Sequence, residues 1–272
     1  MQGRFSPPVD GRIQAFPWDC WQAEFTSAEN NAFDLMEWTL DQDRLHENPL
    51  LTSAGQAEIS RLHHAHGVRI GSLTGDCFMQ SPFWKATGSY CEQLQEDFCA
   101  VARACSVVGI SMMVLPLVDN GSLSSPAQED RLVAVLESHA GLLRELRVKV
   151  IFESDYSPAE LERFIDRLDP ALFGVNYDIG NSAGLGMKPA DEIAAYGERI
   201  VNVHIKDRVL GGTTVPLGTG STDFETVFAA LAKAGYRGNY ILQTARAQDG
   251  DHAGVLCRYR DMAINWIARH GA

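Results

Sequence analysis

A chain of 272 residues, 45% hydrophobic and 21% charged, is long enough to bury one large core, and residues 1–272 read as a single domain with no need of a second. Its net charge of −12 and pI near 5.1 set a repulsive field against nucleic acid and anionic membrane, so polyanion binding is excluded as its main task. There is no apolar run of a membrane span's length and no charged start ahead of an apolar h-region, and Cys20, Cys77, Cys91, Cys99, Cys105 and Cys257 show neither CxxC nor disulfide-dense spacing. A cytoplasmic protein with reduced thiols is expected, with a homo-oligomer left open.

In chain order, short β-branched or aromatic runs predict strands at residues 3–6, 33–39, 68–75, 110–118, 149–154, 173–179, 200–207 and 239–245. Helical patterns separate most of them, at roughly 53–66, 89–108 and 127–145, and residues 252–269 close the chain. After the fifth strand, Ser157, Pro158 and Glu160 supply an N-cap, a first-turn proline and a capping-box acid ahead of the stripe Leu161, Phe164, Ile165 and Leu168. Thr222 and Glu225 read as a second capping box, ahead of the stripe Phe224, Val227, Phe228 and Leu231 and the stop at Gly235. Such alternation argues for parallel strands joined by crossover helices, and this count and length predict a (β/α)8 TIM barrel. The irregular segments 7–22, 41–52, 76–88 and 209–221 follow strands, where a barrel carries its binding loops.

Four of the later strands end in a residue able to hold a metal or polarise a sugar hydroxyl: Glu153, Asp178, His204 and Gln243. Singly, each is equally a solvated loop residue or a helix cap. Together, two carboxylates, an imidazole and an amide oxygen make a mixed hard set suited to Mn²⁺, Mg²⁺ or Co²⁺, with Zn²⁺ also accommodated. A cation there would steady the charge of an enediolate while a carboxylate moves a proton between neighbouring carbons. Arg4, His46, Asp76, Lys206, Arg208 and Arg246 are candidates for contact with a small sugar or sugar phosphate, the arginines because their fork suits an acidic group. The loop Gly218–Ser221 leads into a helix whose free N–H groups could cradle a phosphate, or is simply a tight turn. His63, His64 and His66 read as a solvated helix end and Cys77 as a small buried thiol.

With F-E-S at 152–154, Y-D-I-G-N at 177–181, V-H-I-K-D-R at 203–208, V-P-L-G-T-G-S-T-D-F at 215–224 and Y-R-G-N-Y-I-L-Q at 236–243, the chain resembles the xylose isomerase-like TIM-barrel superfamily, in its sugar-phosphate isomerase/epimerase branch. That resemblance implies that Glu153, Asp178, His204 and the Gln243 position hold one divalent ion, commonly Mn²⁺, and that Glu37 faces the same cavity. Many epimerases of this type carry a second glutamate where this chain has Gln243, and glutamine cannot accept a proton as a carboxylate does. The substitution favours an isomerase with Glu153 as base, with Glu37, Asp76 or Asp207 as second-base candidates. The same superfamily includes keto-sugar dehydratases and apurinic endonucleases, and the net charge of −12 argues against the nuclease.

Overall fold

The computed structural model describes residues 5–9, 11–12 and 14–271. Its apolar runs pair edge to edge as seven strands: β1 (Leu35–Thr39), β2 (Arg69–Thr74), β3 (Met112–Leu117), β4 (Lys149–Ser154), β5 (Phe173–Asp178), β6 (Ile200–Ile205) and β7 (Asn239–Leu242). They lie in sequence order and every neighbouring pair is parallel. With the helices packed outside, they form a nearly closed TIM barrel. Of the strand expected at 3–6, residues 3 and 4 lie outside the described residues. Phe5 and Ser6 form a bend instead, their backbone N–H groups donating to the Glu24 carboxylate at 3.2 and 2.7 Å.

The helices are α1 (Trp21–Asn30), α2 (Ser53–His66), α3 (Asp76–Gln80), α4 (Gly88–Val108), α5 (Pro126–Ser138), α6 (Ala140–Leu146), α7 (Pro158–Ile165), α8 (Ile179–Gly184), α9 (Pro189–Tyr196), α10 (Phe224–Lys233) and α11 (His252–His270). The long helix expected over 127–145 is broken at His139 (φ −99°, ψ 2°), beside the weak helix formers Ser138 and Gly141. The second capping box is replaced by Asp223, which accepts from the Thr226 N–H at 3.0 Å, while Glu225 turns to His270 at 2.8 Å on α11. Helices α1, α3, α8 and α9 were not expected, α3 falling in the segment read as irregular over 76–88, although Trp21, Phe25 and Ala28 give α1 a buried stripe at helical spacing. No helix among the described residues is long and apolar enough to cross a membrane.

Strand alternation divides the side chains. One set packs beneath the helices, as in the contact of Phe152 on β4 with Phe164 on α7, ring centroids 5.1 Å apart. The other set faces the barrel interior and is polar near the C-terminal end: Ser72 and Thr74 on β2, Asn176 and Asp178 on β5, Asn202 and His204 on β6, each pair two residues apart. All six cysteines are free.

Outside the barrel, Glu129 on α5 is clamped by Arg163 of α7 and Arg167 beyond it, at 2.6 and 2.5 Å. The Arg163 hydrogen bonds outweigh the burial of the carboxyl and hold it down at about 2, against an ordinary 4.5. A depressed folded value gives stability that is complete above pH 4.5 and lost as the pH falls toward 2. Glu129→Gln is therefore expected to cost about 1–3 kcal/mol at neutral pH and to flatten the acid limb of stability, read by denaturant titration from pH 7 to 2.5.

Candidate active site

The C-terminal strand ends bring Glu153, Asp178, His204 and Gln243, all buried, to the barrel mouth. A carboxylate oxygen of Glu153, one of Asp178 and a ring nitrogen of His204 lie within 4.8 Å of one another. His204 is gripped across its ring. Nε2 sits 2.9 Å from Glu37 Oε1, whereas Nδ1 faces Glu153 Oε2 at 3.4 Å and Asp178 Oδ2 at 3.8 Å. Glu37 lies one layer deeper and also accepts from the hydroxyls of Ser72 and Thr74, both at 2.6 Å, and from Asn202 Nδ2 at 3.3 Å.

Three asparagines complete the frame. Asn176 donates to Glu153 Oε2 at 3.0 Å and takes Asn202 Nδ2 on its own oxygen at 2.7 Å. Asn181, in the first turn of α8, donates to Glu153 Oε1 at 2.5 Å, and its backbone N–H donates to Asp178 Oδ1 at 2.8 Å. Lys206 Nζ reaches Asp178 Oδ2 at 3.0 Å. Burial alone would push these carboxyls up, yet the His204 ring and the hydroxyl donors bring Glu37 down to about 2, and Lys206 with His204 holds Asp178 well below the ordinary carboxylate range. On His204 the order is reversed: burial disfavours the cation, and the surrounding carboxylates, Glu37 foremost, raise it well above its ordinary value.

This donor set fits a divalent cation on two observations. Gln243 Oε1 is buried without a hydrogen-bond partner, and the carboxylate on Nε2 leaves Nδ1 of His204 turned toward the acids, as ligating histidines are usually oriented. Three buried carboxylates facing one imidazole and one ammonium also leave an excess of negative charge for a cation to offset.

A cavity of about 390 Å³ opens above the cluster, lined among others by Asp76, Glu153, Lys206, Arg208 and Gln243. A larger groove of about 890 Å³ lies on the outer surface between α7, α9 and α10, away from the strand ends. Several sequence expectations do not reach the cavity. Glu37 is sealed beneath it. Asp207 is fully buried, with its carboxylate accepting the N–H groups of Gly218 and Gly220 at 2.9 and 2.8 Å and of Thr222 at 3.2 Å. The glycine loop thus cradles the chain's own Asp207 in place of a phosphate. Arg246 turns to the Ser6 carbonyl, and His46 pairs with Asp97 at 3.1 Å on the outside. Arg4 lies outside the described residues. Arg208 lines the cavity with its guanidinium taken up by Asn181 Oδ1 at 2.9 Å and the Gly212 carbonyl. His63 and His64 bond carbonyls near the end of α2, and His66 bonds Glu29.

Sequence reasoning missed Ser72, Asn176 and Asn202, whose signal is a polar residue two positions before a strand-end residue, hence on the same inward face. Asn181 stood in the Y-D-I-G-N motif without a role.

Seven parallel strands with acids, an imidazole and an amide at their C-terminal ends define a TIM-barrel protein with a polar cluster at its mouth. A family model described as xylose isomerase-like TIM barrel matches residues 25–258, and the chain belongs to that family. It is 24% identical over 262 residues to the L-ribulose-5-phosphate 3-epimerase UlaE of Escherichia coli (strain SMS-3-5 / SECEC), across 93% of this chain and 92% of that one. It is 26% identical over 228 residues to the inosose dehydratase of Geobacillus kaustophilus (strain HTA426), across 74% of each. Among solved structures, the IOLI protein with a binding zinc atom superposes with a TM-score of 0.74 at 15% identity, covering 95% of both chains, a likeness of fold. The chain is thus related to sugar epimerases and dehydratases.

Because the Asp207 carboxylate closes the loop that it nests in, Asp207→Asn, which sets an amide N–H group or a weaker acceptor against those donors, is expected to cost about 1–3 kcal/mol of stability. Gly220→Ala is expected to do the same, since its Cβ would lie 2.2 Å from Asp207 Oδ1. Urea unfolding of both variants measures this.

Proposed function

We propose that this chain is a divalent-metal-dependent isomerase of a small sugar, with Glu153 moving a proton between carbons next to a carbonyl. The observation that carries the reading is the asymmetry of the site: of the candidate ligands, Glu153 is the carboxylate that lines the cavity, and another strand end presents Gln243, whose amide can bind through its oxygen and takes no proton. Glu153, Asp178, His204 and Gln243 would hold the ion, Mn²⁺ foremost, with Mg²⁺, Co²⁺ or Zn²⁺ as alternatives. Once bound, such an ion supplies Lewis-acid stabilisation of charge developing on sugar oxygens.

The chain's own groups do the rest. Asn176 and Asn181 fix the two Glu153 oxygens, so the carboxylate is held while it takes the proton from one carbon and returns it to the next on the same face. Glu37 sets the tautomer and tilt of His204 from below. Lys206 and Arg208 are already committed to Asp178, Asn181 and Gly212, and four carboxylates (Asp76, Asp119, Glu153 and Asp155) line the cavity against these two cations. That balance favours an uncharged sugar over a phosphorylated one. Dehydration of a keto-sugar is the second reading, supported by the inosose dehydratase relative, since Glu153 could equally remove the proton that precedes loss of a hydroxyl.

With Mn²⁺ bound, a panel of ketoses and ketose phosphates in D₂O tests the reading. Carbon-bound deuterium is expected in an unphosphorylated ketose and its aldose, and Glu153→Gln is expected to cut that exchange by about 10²–10⁴-fold with metal still bound. Absence of exchange across the panel, or full exchange in Glu153→Gln, would sink it. Glu37→Gln is expected to weaken metal binding by about 10–100-fold, measured by calorimetric titration of the chelator-treated protein, with circular dichroism unchanged.

A further inference from the structure

Isomerisation moves two protons. One passes between carbons, and the other must leave a hydroxyl and arrive on what was the carbonyl oxygen. Glu153 accounts for the first, and the second needs a group that faces the same cavity and is free to gain and lose a proton.

The structure offers few. Glu37 is sealed under His204, and Asp207 is consumed by its loop. Asp155 accepts from the Ser122 hydroxyl, and Asp119 stands exposed at the rim. Asp76 differs from all of them. It lines the cavity with Glu153, and among the described residues its carboxyl makes no hydrogen bond and no ion pair.

Its position is nonetheless fixed, because the backbone on both sides is tied to neighbouring strands. The Gly75 N–H donates to the Val114 carbonyl at 3.0 Å, and the Cys77 N–H donates to the Leu40 carbonyl at 2.9 Å. No side chain fits at residue 75, where a Cβ would lie 2.5 Å from the Phe78 ring and 2.9 Å from the Val114 oxygen, so the chain passes close enough to β3 to aim residue 76 at the mouth. Burial, followed by the charges of Asp41, Glu153 and Glu37 and opposed by Lys206, pushes the Asp76 carboxyl up to about 7. A carboxyl that faces the cavity and is tied to no partner among the described residues can both give and take a proton there.

Resting on the isomerase reading above, we propose that Asp76 is the second proton carrier of the site, shuttling the proton between the two sugar oxygens while Glu153 shuttles the one between carbons. Glu153 takes the proton from the carbon beside the carbonyl. The C–H pair becomes the C=C bond, and the carbonyl π pair moves to oxygen, which takes the Asp76 proton. The Asp76 carboxylate then removes the neighbouring hydroxyl's proton. That O–H pair forms the new C=O bond, and the C=C pair takes the proton back from Glu153 at the adjacent carbon. Both side chains end as they began.

The test joins a spectroscopic measurement to an isotopic one. In Mg²⁺-loaded protein labelled with ¹³C at the aspartate carboxyls, infrared spectra at neutral pH should show a protonated-carboxyl band that Asp76→Asn removes. With ketose in D₂O, Asp76→Asn should keep deuterium wash-in at carbon within about threefold while losing net aldose formation by at least about 10²-fold, and Asp76→Glu should restore part of it. Glu153→Gln should lose both. A missing band, full turnover in Asp76→Asn, or loss of wash-in together with turnover overturns the role of Asp76 alone. Absence of wash-in by the wild-type chain on every sugar fails the isomerase reading and takes this role with it.

Discussion

His204 is held at both ring nitrogens, and the barrel mouth is organised around that grip. Nε2 lies 2.9 Å from Glu37 as an ion-pair contact without hydrogen-bond geometry, and Asn176 Nδ2 stands 3.2 Å from Nδ1 on the edge that faces the strand-end acids. Glu37 can make its contact only because Ser72 and Thr74 of β2 and Asn202 of β6 donate to it in its buried place. An unpaired carboxylate so deep would cost several kcal/mol. The layer of small polar side chains is therefore the condition under which an apolar barrel tolerates a charged mouth.

Above that layer the roles separate by depth. The deepest acid is saturated with donors, the middle set is held by asparagines in one geometry, and Asp76 at the cavity wall makes no hydrogen bond or ion pair among the described residues. On the proposed chemistry, the preorganised groups are those whose position matters, and the carboxyl left to titrate is the one assigned to carry a proton. Gln243 fits the same order, since an amide would offer an oxygen to an ion held there without adding a fourth buried negative charge.

The strand ends were legible because each closes a short apolar run, and all seven strands lie within the predicted spans, β4 matching end to end. The second layer was written in the same runs, as polar residues two positions before Asp178 and His204, but an asparagine inside a strand reads as a defect until the partner strand is known. Asp207 was misread for a related reason. Its sequence neighbours resemble those of a catalytic acid, whereas its environment is set by Gly218, Gly220 and Thr222, which reach it only once the loop has closed. The cap of α10 moved from Thr222 to Asp223 because Thr222 is itself drawn into that closure.

The occupied nest also gives the protein a built-in competitor. Backbone N–H groups arranged around an anion do not distinguish a carboxylate from a phosphate. A carboxylate tethered 11 to 15 residues away along the chain is present at an effective concentration on the order of millimolar or more, at every moment. Free inorganic phosphate would have to outbid a resident that never diffuses away, so the loop's conformation is insulated from the ionic composition around it, and the wall of the cavity that it supports at Thr213 and Thr214 keeps one shape.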